Sequence, residues 1–231
     1  MKTRWIAGVL AFAAFTGLMT GCSGSKEKNI STAETTAPAA QTNAATAATT
    51  EDNIPKSADG NTFVITLYPE DAPISCENFT TLVKDGFYDG LTFHRVVDDF
   101  MAQGGDGATA GKSASSIKGE FTSNGVQNNR KHVRGTVSMA RTPDPDSASS
   151  QFFICYTTCD YLDGNYAAFG EVTQGMDVVD KFLNVNRSIG GDGAISSPTT
   201  PIVMDKVEMI DDDADGHPRV QVTMNDFLAQ Q

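Results

Sequence analysis

The chain has 231 residues, of which 39% are hydrophobic and 20% are charged, as is usual for a soluble folded domain with appended segments. It has 17 basic against 29 acidic residues, which gives a formal net charge of -12. Nucleic acid is therefore not expected as a partner, and nothing favours electrostatic docking to anionic lipid, because both need clustered lysine and arginine.

The first 21 residues have the pattern of an export signal. Lys2 and Arg4 supply positive charge, and an uncharged, largely apolar segment follows that is shorter than the roughly 20 residues of a membrane-spanning helix. Cys22 comes next, after a small residue, which resembles a bacterial lipobox with Leu18 one place further from the cysteine than usual. We expect residues 1–21 to be a lipoprotein signal peptide. Acyl chains on Cys22 then hold the protein on the extracytoplasmic face of a bacterial envelope membrane. A secreted protein cut elsewhere is the alternative.

Three further segments follow the signal. Residues 22–57 are rich in alanine, threonine and serine without an apolar period, so we predict a disordered tether. An organised domain is predicted over residues 58–211, and residues 212–231 form a C-terminal extension that is either an extra strand with a short helix or a loose tail. The extension begins like a calcium loop, but Val222 stands where such a loop needs a bidentate glutamate, so we predict no metal site and a solvated acidic tail.

Seven short segments of the domain are apolar or alternate between apolar and polar residues, which is typical of strands. They cover residues 61–67, 91–97, 100–105, 135–140, 150–156, 167–172 and 201–210. Apolar residues at helical spacing predict one helix between Pro73 and Gly86 and a second over residues 175–183. Many short strands with only two helices favour a closed barrel or a sandwich over βαβ units.

The cysteines other than Cys22 are Cys76, Cys155 and Cys159. Cys76 falls on the apolar face of the first helix and is expected in the core. Cys155 and Cys159 are four residues apart, yet no cluster of histidine or cysteine surrounds them, so zinc is not expected. Whether one disulfide forms stays open.

Single residues in the strands suggest where function lies. His94 and Arg95 are neighbours on a strand and should face opposite sides. We expect His94 to be buried and hydrogen-bonded, whereas Arg95 is either functional or a surface residue whose stem covers apolar atoms. Phe152 and Phe153 are also strand neighbours, so one must leave the core and mark a pocket or interface. The hydrolase, metalloprotease and P-loop signatures G-x-S-x-G, H-E-x-x-H and G-x-x-x-x-G-K are not found.

Five blocks of sequence together resemble the cyclophilin family of peptidyl-prolyl cis-trans isomerases, over residues 60–210. The blocks are YDGLTFHRVVDDFMAQGGD, GTVSMART, SSQFFICY, LDGNYAAFGEV and GMDVVDK, in the family's order and spacing. The resemblance implies an all-β fold, a closed eight-stranded antiparallel barrel capped by two α-helices, with the active site on the outer face. It implies an isomerase of X-Pro peptide bonds that needs no cofactor and no metal, binds proline-containing polypeptides and is a monomer.

The resemblance also assigns roles to single positions. The catalytic positions are Arg95, Phe100 and Gln103. The substrate-binding positions line a proline pocket or contact the flanking peptide, and they are Met101, Ala140, Arg141, Gln151, Phe153, Tyr161, Leu162 and Tyr166. Tyr161, Tyr166 and Arg141 replace the tryptophan, histidine and asparagine of the best-known eukaryotic form. The first change removes an indole donor, so we expect weakened cyclosporin binding.

We therefore predict an enzyme that accelerates X-Pro rotation in exported or cell-surface proteins. The alternative is a non-catalytic module that uses the same pocket to bind proline-containing segments or to act as a chaperone. A third possibility, a structural lipoprotein, predicts neither binding nor catalysis.

Overall fold

The computed structural model describes residues 53–230. The signal peptide, Cys22 and most of the predicted tether lie outside these residues. The strands are β1 (Thr62–Leu67), β2 (Thr92–Val97), β3 (Met101–Gly104), β4 (Thr136–Met139), β5 (Phe152–Cys155), β6 (Ala168–Gln174), β7 (Arg187–Ile189), β8 (Ile195–Pro198), β9 (Ile202–Ile210) and β10 (Arg219–Met224). The helices are α1 (Pro73–Lys84) and α2 (Met176–Asp180), and a 3-10 turn at Lys181–Asn184 continues α2.

Eight of the strands close into an antiparallel barrel in the order β1-β10-β9-β2-β3-β5-β4-β6, with β6 pairing back to β1. The remaining two, β7 and β8, form a separate hairpin. The predicted fold, an eight-stranded barrel with two α-helices, is confirmed. All seven predicted strands are present, and each lies within two residues of the expected bounds.

The folded domain extends beyond the predicted limits of 58–211 at both ends. On the N-terminal side, the carbonyl of Pro55 accepts from the Gly175 amide at 2.7 Å, and the Ser57 amide donates to Asp177 at 2.9 Å. On the C-terminal side, β10 lies between β1 and β9 and closes the barrel. Of the two alternatives for residues 212–231, the extra strand is present as β10, but the short helix expected with it is absent from the described residues after Met224. Its partner β1 lies at the other end of the domain, so no local pattern marked β10 as the strand that closes the barrel.

A chain of aromatic rings fills the barrel. Phe79 of α1 contacts Phe152 at a centroid distance of 5.3 Å, Phe152 contacts Phe93 at 5.7 Å, and Phe93 contacts Phe182 at 4.8 Å. All four side chains are at most 1% exposed. Burial of each such ring contributes about 1.5–3 kcal/mol to folding, so the rings tie α1 and the segment after α2 to the barrel core.

The three cysteines within residues 53–230 are buried free thiols. Cys76 lies in the barrel core, as predicted, and its thiol donates to the Phe169 carbonyl at 3.3 Å. Within the same residues, no helix combines the length and the apolar character needed to cross a bilayer.

Candidate functional site

An irregularity in β2 turns Arg95 to the outside of the barrel. Phe93 pairs with Gly104, but Arg95 pairs with Gln103, so His94 is an extra residue without a partner in β3. Residues two apart on a regular strand face the same side, and an inserted residue reverses that relation. Phe93 is therefore in the core at 1% exposure, whereas the Arg95 side chain is 26% exposed.

The extra residue itself departs from expectation. His94 is half-buried, and its buried Nδ1 atom has no hydrogen-bond partner among the described residues. The prediction of a hydrogen-bonded histidine is wrong for this nitrogen. Burial lowers the pKa of His94, which keeps the ring neutral at physiological pH.

A second apolar cluster covers the outer side of the same strands. Its buried members are Met101, Phe153, Cys155, Cys159 and Leu162, and Val97, Phe100, Ala140 and Tyr166 pack against it. Phe152 belongs to the barrel core and Phe153 to this outer cluster, so one of the paired phenylalanines does leave the core, as predicted. Phe153 and Leu162 each remain 5% exposed, so their edges reach the surface.

Polar groups border the outer cluster on one side. Arg95 Nη1 donates to Gln103 Oε1 at 3.4 Å, and Gln103 Nε2 donates to Gln151 Oε1 at 2.8 Å. The Arg95 guanidinium also lies 5.8 Å from the Phe100 ring centroid and 3.8 Å, through Nη1, from the Met101 sulfur. A cationic donor and two amides thus stand directly beside an apolar surface.

Two tyrosines and a second arginine form another part of the rim of the outer cluster. The ring of Tyr161 is 62% exposed and lies 6.0 Å from Phe100, while Tyr166 meets Phe153 edge-on at 5.9 Å. Arg141 stacks on Tyr166 at 4.5 Å from the ring centroid, and its Nη2 donates to the Asn165 carbonyl at 2.7 Å.

The structure brings the predicted site residues into one contiguous surface on the outer face of the barrel. Ala140 and Gln151 join it through the hydrogen bond from the Ala140 amide to the Gln151 carbonyl, at 2.9 Å.

Asp192 also belongs to this surface, although no sequence pattern predicts it there. It lies in the turn between β7 and β8, and its Oδ2 accepts from Arg95 Nε at 2.6 Å. The two residues are 97 positions apart, and an aspartate in a glycine-rich turn has an ordinary local role. Nothing in the local pattern marks it as a partner of Arg95.

A buried serine, a buried histidine and a half-buried aspartate form a hydrogen-bonded network behind the outer cluster. His132 Nδ1 bonds Asp163 Oδ1 at 3.0 Å, and its Nε2 bonds Ser138 Oγ at 3.0 Å. This chain of hydrogen bonds from serine to histidine to aspartate matches a hydrolase triad, but Ser138 is 0% exposed and out of reach of any substrate. The His132 ring stacks behind Phe153 at 6.1 Å, so the network supports the wall of the site.

The acidic segment after β9 is largely exposed to solvent, as predicted, but it forms an ordered turn and not a tail. The Asp213 carboxylate accepts from the amides of Asp215 and His217 and bonds His217 Nδ1 at 3.0 Å. Ligand atoms of these three residues lie within 4.8 Å of one another, and their mutual hydrogen bonds hold the turn that leads into β10.

Comparison with known proteins identifies the family. The family model described as cyclophilin type peptidyl-prolyl cis-trans isomerase/CLD matches residues 53–209. A peptidyl-prolyl cis-trans isomerase of Acinetobacter baylyi is 50% identical over 135 residues, which cover 55% of this chain and 69% of the relative. Peptidyl-prolyl cis-trans isomerase A of Dickeya dadantii is 37% identical over 173 residues, which cover 71% of this chain and 87% of the relative.

A solved structure agrees with these relatives. A cyclophilin-type isomerase of Cryptosporidium parvum, crystallised in the presence of the dipeptide Ala-Pro, superposes with a TM-score of 0.54 at 25% identity, over 63% of this chain and 96% of its own. The match agrees with the barrel described above. This chain belongs to the cyclophilin-type peptidyl-prolyl cis-trans isomerase family.

Proposed function

We propose that this chain accelerates rotation about X-Pro peptide bonds in exported or cell-surface proteins, with Arg95 as the catalytic donor. The observation that carries the proposal is the position of the Arg95 guanidinium, outside the barrel and beside the apolar cluster of Met101 and Phe153. Such a cluster suits a pyrrolidine ring, and the related cyclophilin crystallised with Ala-Pro supports a proline-containing ligand.

The reaction needs no bond to break. Rotation of a peptide bond meets a barrier of about 18–20 kcal/mol, because resonance gives the bond partial double-bond character. Uncatalysed X-Pro rotation takes about 10–100 s, and shortening it about 10⁵-fold requires roughly 7 kcal/mol of transition-state stabilisation. An electrostatic donor and a shaped pocket can supply this together.

Arg95 is suited to the twisted transition state. As the bond rotates, resonance is lost, and the lone pair of the prolyl nitrogen becomes a hydrogen-bond acceptor. A guanidinium donates to this nitrogen more strongly in the twisted state than in the planar one, which lowers the barrier. Among residues 53–230, the Nη2 group of Arg95 makes no hydrogen bond, so it is free to donate to a substrate.

Different residues around Arg95 bind the two sides of the X-Pro bond. The outer cluster, which includes Phe100 and Leu162, receives the proline ring and excludes water. Gln103, held by Gln151 at 2.8 Å, grips a backbone carbonyl of the substrate so that one side stays fixed while the other rotates.

An isomerase assay with a proline-containing peptide tests the role of Arg95. Arg95→Ala should lower kcat/KM by about 10²–10³, as for loss of one key electrostatic donor. Arg219→Ala is the matched control, because Arg219 lies on β10 and bonds the Asp211 carbonyl, so its loss should leave turnover unchanged. Wild-type turnover in Arg95→Ala disproves the assigned mechanism. Binding of the peptide without any acceleration by the wild-type protein favours the non-catalytic module.

The place of action is also part of the proposal. The charged start, the apolar segment and Cys22 support a lipid-anchored protein, carried by a tether on the outer face of a bacterial membrane. Cells that express the chain should incorporate labelled palmitate into it, and the protein should sediment with membranes. Cys22→Ala should remove the label and release the protein from the membrane fraction, whereas Cys76→Ala should change neither. Labelling that survives Cys22→Ala argues against this anchor.

A further inference from the structure

The β7–β8 hairpin brings a carboxylate to the guanidinium of Arg95. Asp192 lies at its turn, and the Asp192 and Arg95 side chains are 24% and 26% exposed. The contact uses only Nε of Arg95, at 2.6 Å from Asp192 Oδ2. A charge-assisted hydrogen bond of this length, partly shielded from water, is among the stronger polar contacts in proteins.

Asp192 is itself held in place. Its Oδ1 accepts from the Ala194 amide at 3.0 Å and from Ser196 Oγ at 2.8 Å, and Ser196 is 1% exposed. Burial raises the pKa of Asp192, but the hydrogen bonds from Arg95 and Ser196 outweigh it and leave the pKa below its usual value. The carboxylate is therefore ionised throughout the neutral range.

The hairpin that carries Asp192 is anchored to the barrel next to Arg95. Arg187, at the start of β7, donates from Nη2 to Asp98 at 2.8 Å and from Nη1 to the Val96 carbonyl at 3.3 Å. Both acceptors flank the end of β2, the strand that carries Arg95. Arg187 thus joins the hairpin that carries Asp192 to the strand that carries Arg95.

The geometry leaves the reactive side of the guanidinium open. Arg95 Nε donates to Asp192 and Nη1 donates to Gln103, so the plane of the guanidinium is fixed by two hydrogen bonds. Its Nη2 has no hydrogen-bond partner among the described residues. A free arginine side chain samples many rotamers, and ordering it for one hydrogen bond costs conformational entropy. A donor that is ordered before the substrate twists does not incur that cost in the transition state.

We propose that Asp192 is a positioning residue that orients the Arg95 guanidinium toward the prolyl nitrogen. The inference rests on the proposed role of Arg95 and extends it. Its distinctive consequence is that Asp192 acts only through Arg95, and only on the transition state. Loss of Asp192 should therefore lower kcat and leave KM nearly unchanged.

The test combines kinetics with a double-mutant cycle in the full-length protein. Asp192→Ala should lower kcat about 10-fold or more, since a misplaced catalytic group can cost up to about 10²-fold, with KM changed less than about twofold. Asp192→Asn keeps an acceptor oxygen and should recover part of this loss. In an Arg95→Ala background, Asp192→Ala should have no further effect on kcat.

Two matched variants in the same hairpin serve as controls. Ile189→Ala on β7 and Ile195→Ala on β8 shorten side chains that are 73% and 65% exposed, and both leave the hydrogen bonds of Asp192 and Arg187 in place. Neither should lower kcat more than about twofold, the scatter expected of changes away from the reacting atoms. A direct readout is the Arg95 Nε–H resonance in nitrogen-15 NMR spectra, which should exchange slowly with solvent in the wild type and rapidly in Asp192→Ala.

The outcomes are distinct. If Asp192→Ala keeps or raises kcat, or lowers it equally in the Arg95→Ala background, the inference is overturned. If Asp192→Ala does not fold, a fast-exchanging Nε–H in the wild type overturns it instead. If Arg95→Ala alone is fully active, the proposed mechanism fails first, and the two failures are told apart.

Discussion

His94 decides the direction of the residue that follows it. Because it has no partner in β3, Phe93 points into the barrel and Arg95 points out, although the two are separated by a single residue.

Arg141 stiffens another part of the pocket rim. Its guanidinium lies 4.5 Å from the ring centroid of Tyr166 and 4.9 Å from that of Phe121.

Tyr161 offers a test at this scale. Its ring is 62% exposed and 6.0 Å from Phe100, so a larger indole can be accommodated at the rim. Tyr161→Trp should tighten cyclosporin binding about three- to tenfold, the value of one added hydrogen bond. Isothermal titration calorimetry measures the change. Tyr161→Phe adds no donor and should bind no more tightly than the wild type; equal affinity of the Trp and Phe variants would count against the argument.

At the scale of elements, α1 depends on a residue outside it. The amides of Ile74 and Ser75 in its first turn donate to the Glu120 carboxylate at 2.9 and 2.7 Å, and Ser75 Oγ donates at 2.7 Å. Glu120 is 1% exposed. No residue within α1 caps this turn, so the loop before β4 supplies the negative charge that a helix N-terminus favours.

Replacement of Glu120 should therefore destabilise the domain. Glu120→Ala leaves two helix amides and a buried hydroxyl without partners, and should lower the free energy of unfolding by about 2–4 kcal/mol. Glu120→Gln keeps one acceptor and should cost less. Urea unfolding gives both values. Glu77→Ala, an exposed position on the same helix, serves as the control and should change stability by less than about 0.5 kcal/mol.

For the whole molecule, two apolar clusters lie back to back across β3 and β5. The inner cluster holds the barrel together, and the outer one forms the site, so Phe152 and Phe153 serve stability and function from adjacent positions.

The pKa values of the three histidines shift in opposite directions. Burial lowers the pKa of His94 and of His132, whereas the hydrogen bond to Asp213 raises the pKa of His217.

These shifts give a signed prediction for stability between pH 7.5 and 5.5. His94 and His132 bind protons more readily in the unfolded chain, so their contribution falls as the pH drops through the ordinary histidine value of about 6.5. His217 binds protons more readily in the folded chain, so its contribution grows over the same range and is lost as the pH rises. Urea unfolding of His217→Gln should show a steeper loss of stability on acidification than the wild type. A shallower loss would mean that the sign is wrong.

Much of the fold follows from local signals. The alternation in residues 61–67 predicted β1, Pro73 and Gly86 bracketed α1, and adjacent Phe152 and Phe153 implied a second apolar surface, because each depends on residues within a few positions. The start at Pro55 and the support of α1 by Glu120 were not predicted, since their partners lie 45 or more residues away. Whether β10 is a strand was left open, since its pairing with β1 joins the two ends of the domain.

The sequence by itself determined the family, because five short blocks resemble the cyclophilins, and that resemblance implied the closed barrel and the site residues other than Asp192. The alternation of apolar side chains alone left a barrel and a sandwich open. Tertiary structure alone decided that an unpaired His94 turns Arg95 outward and that Asp192, 97 positions away, meets it at 2.6 Å. The physical reason is that strand register and ion pairing between distant segments are settled only when the barrel closes, and no local pattern encodes them.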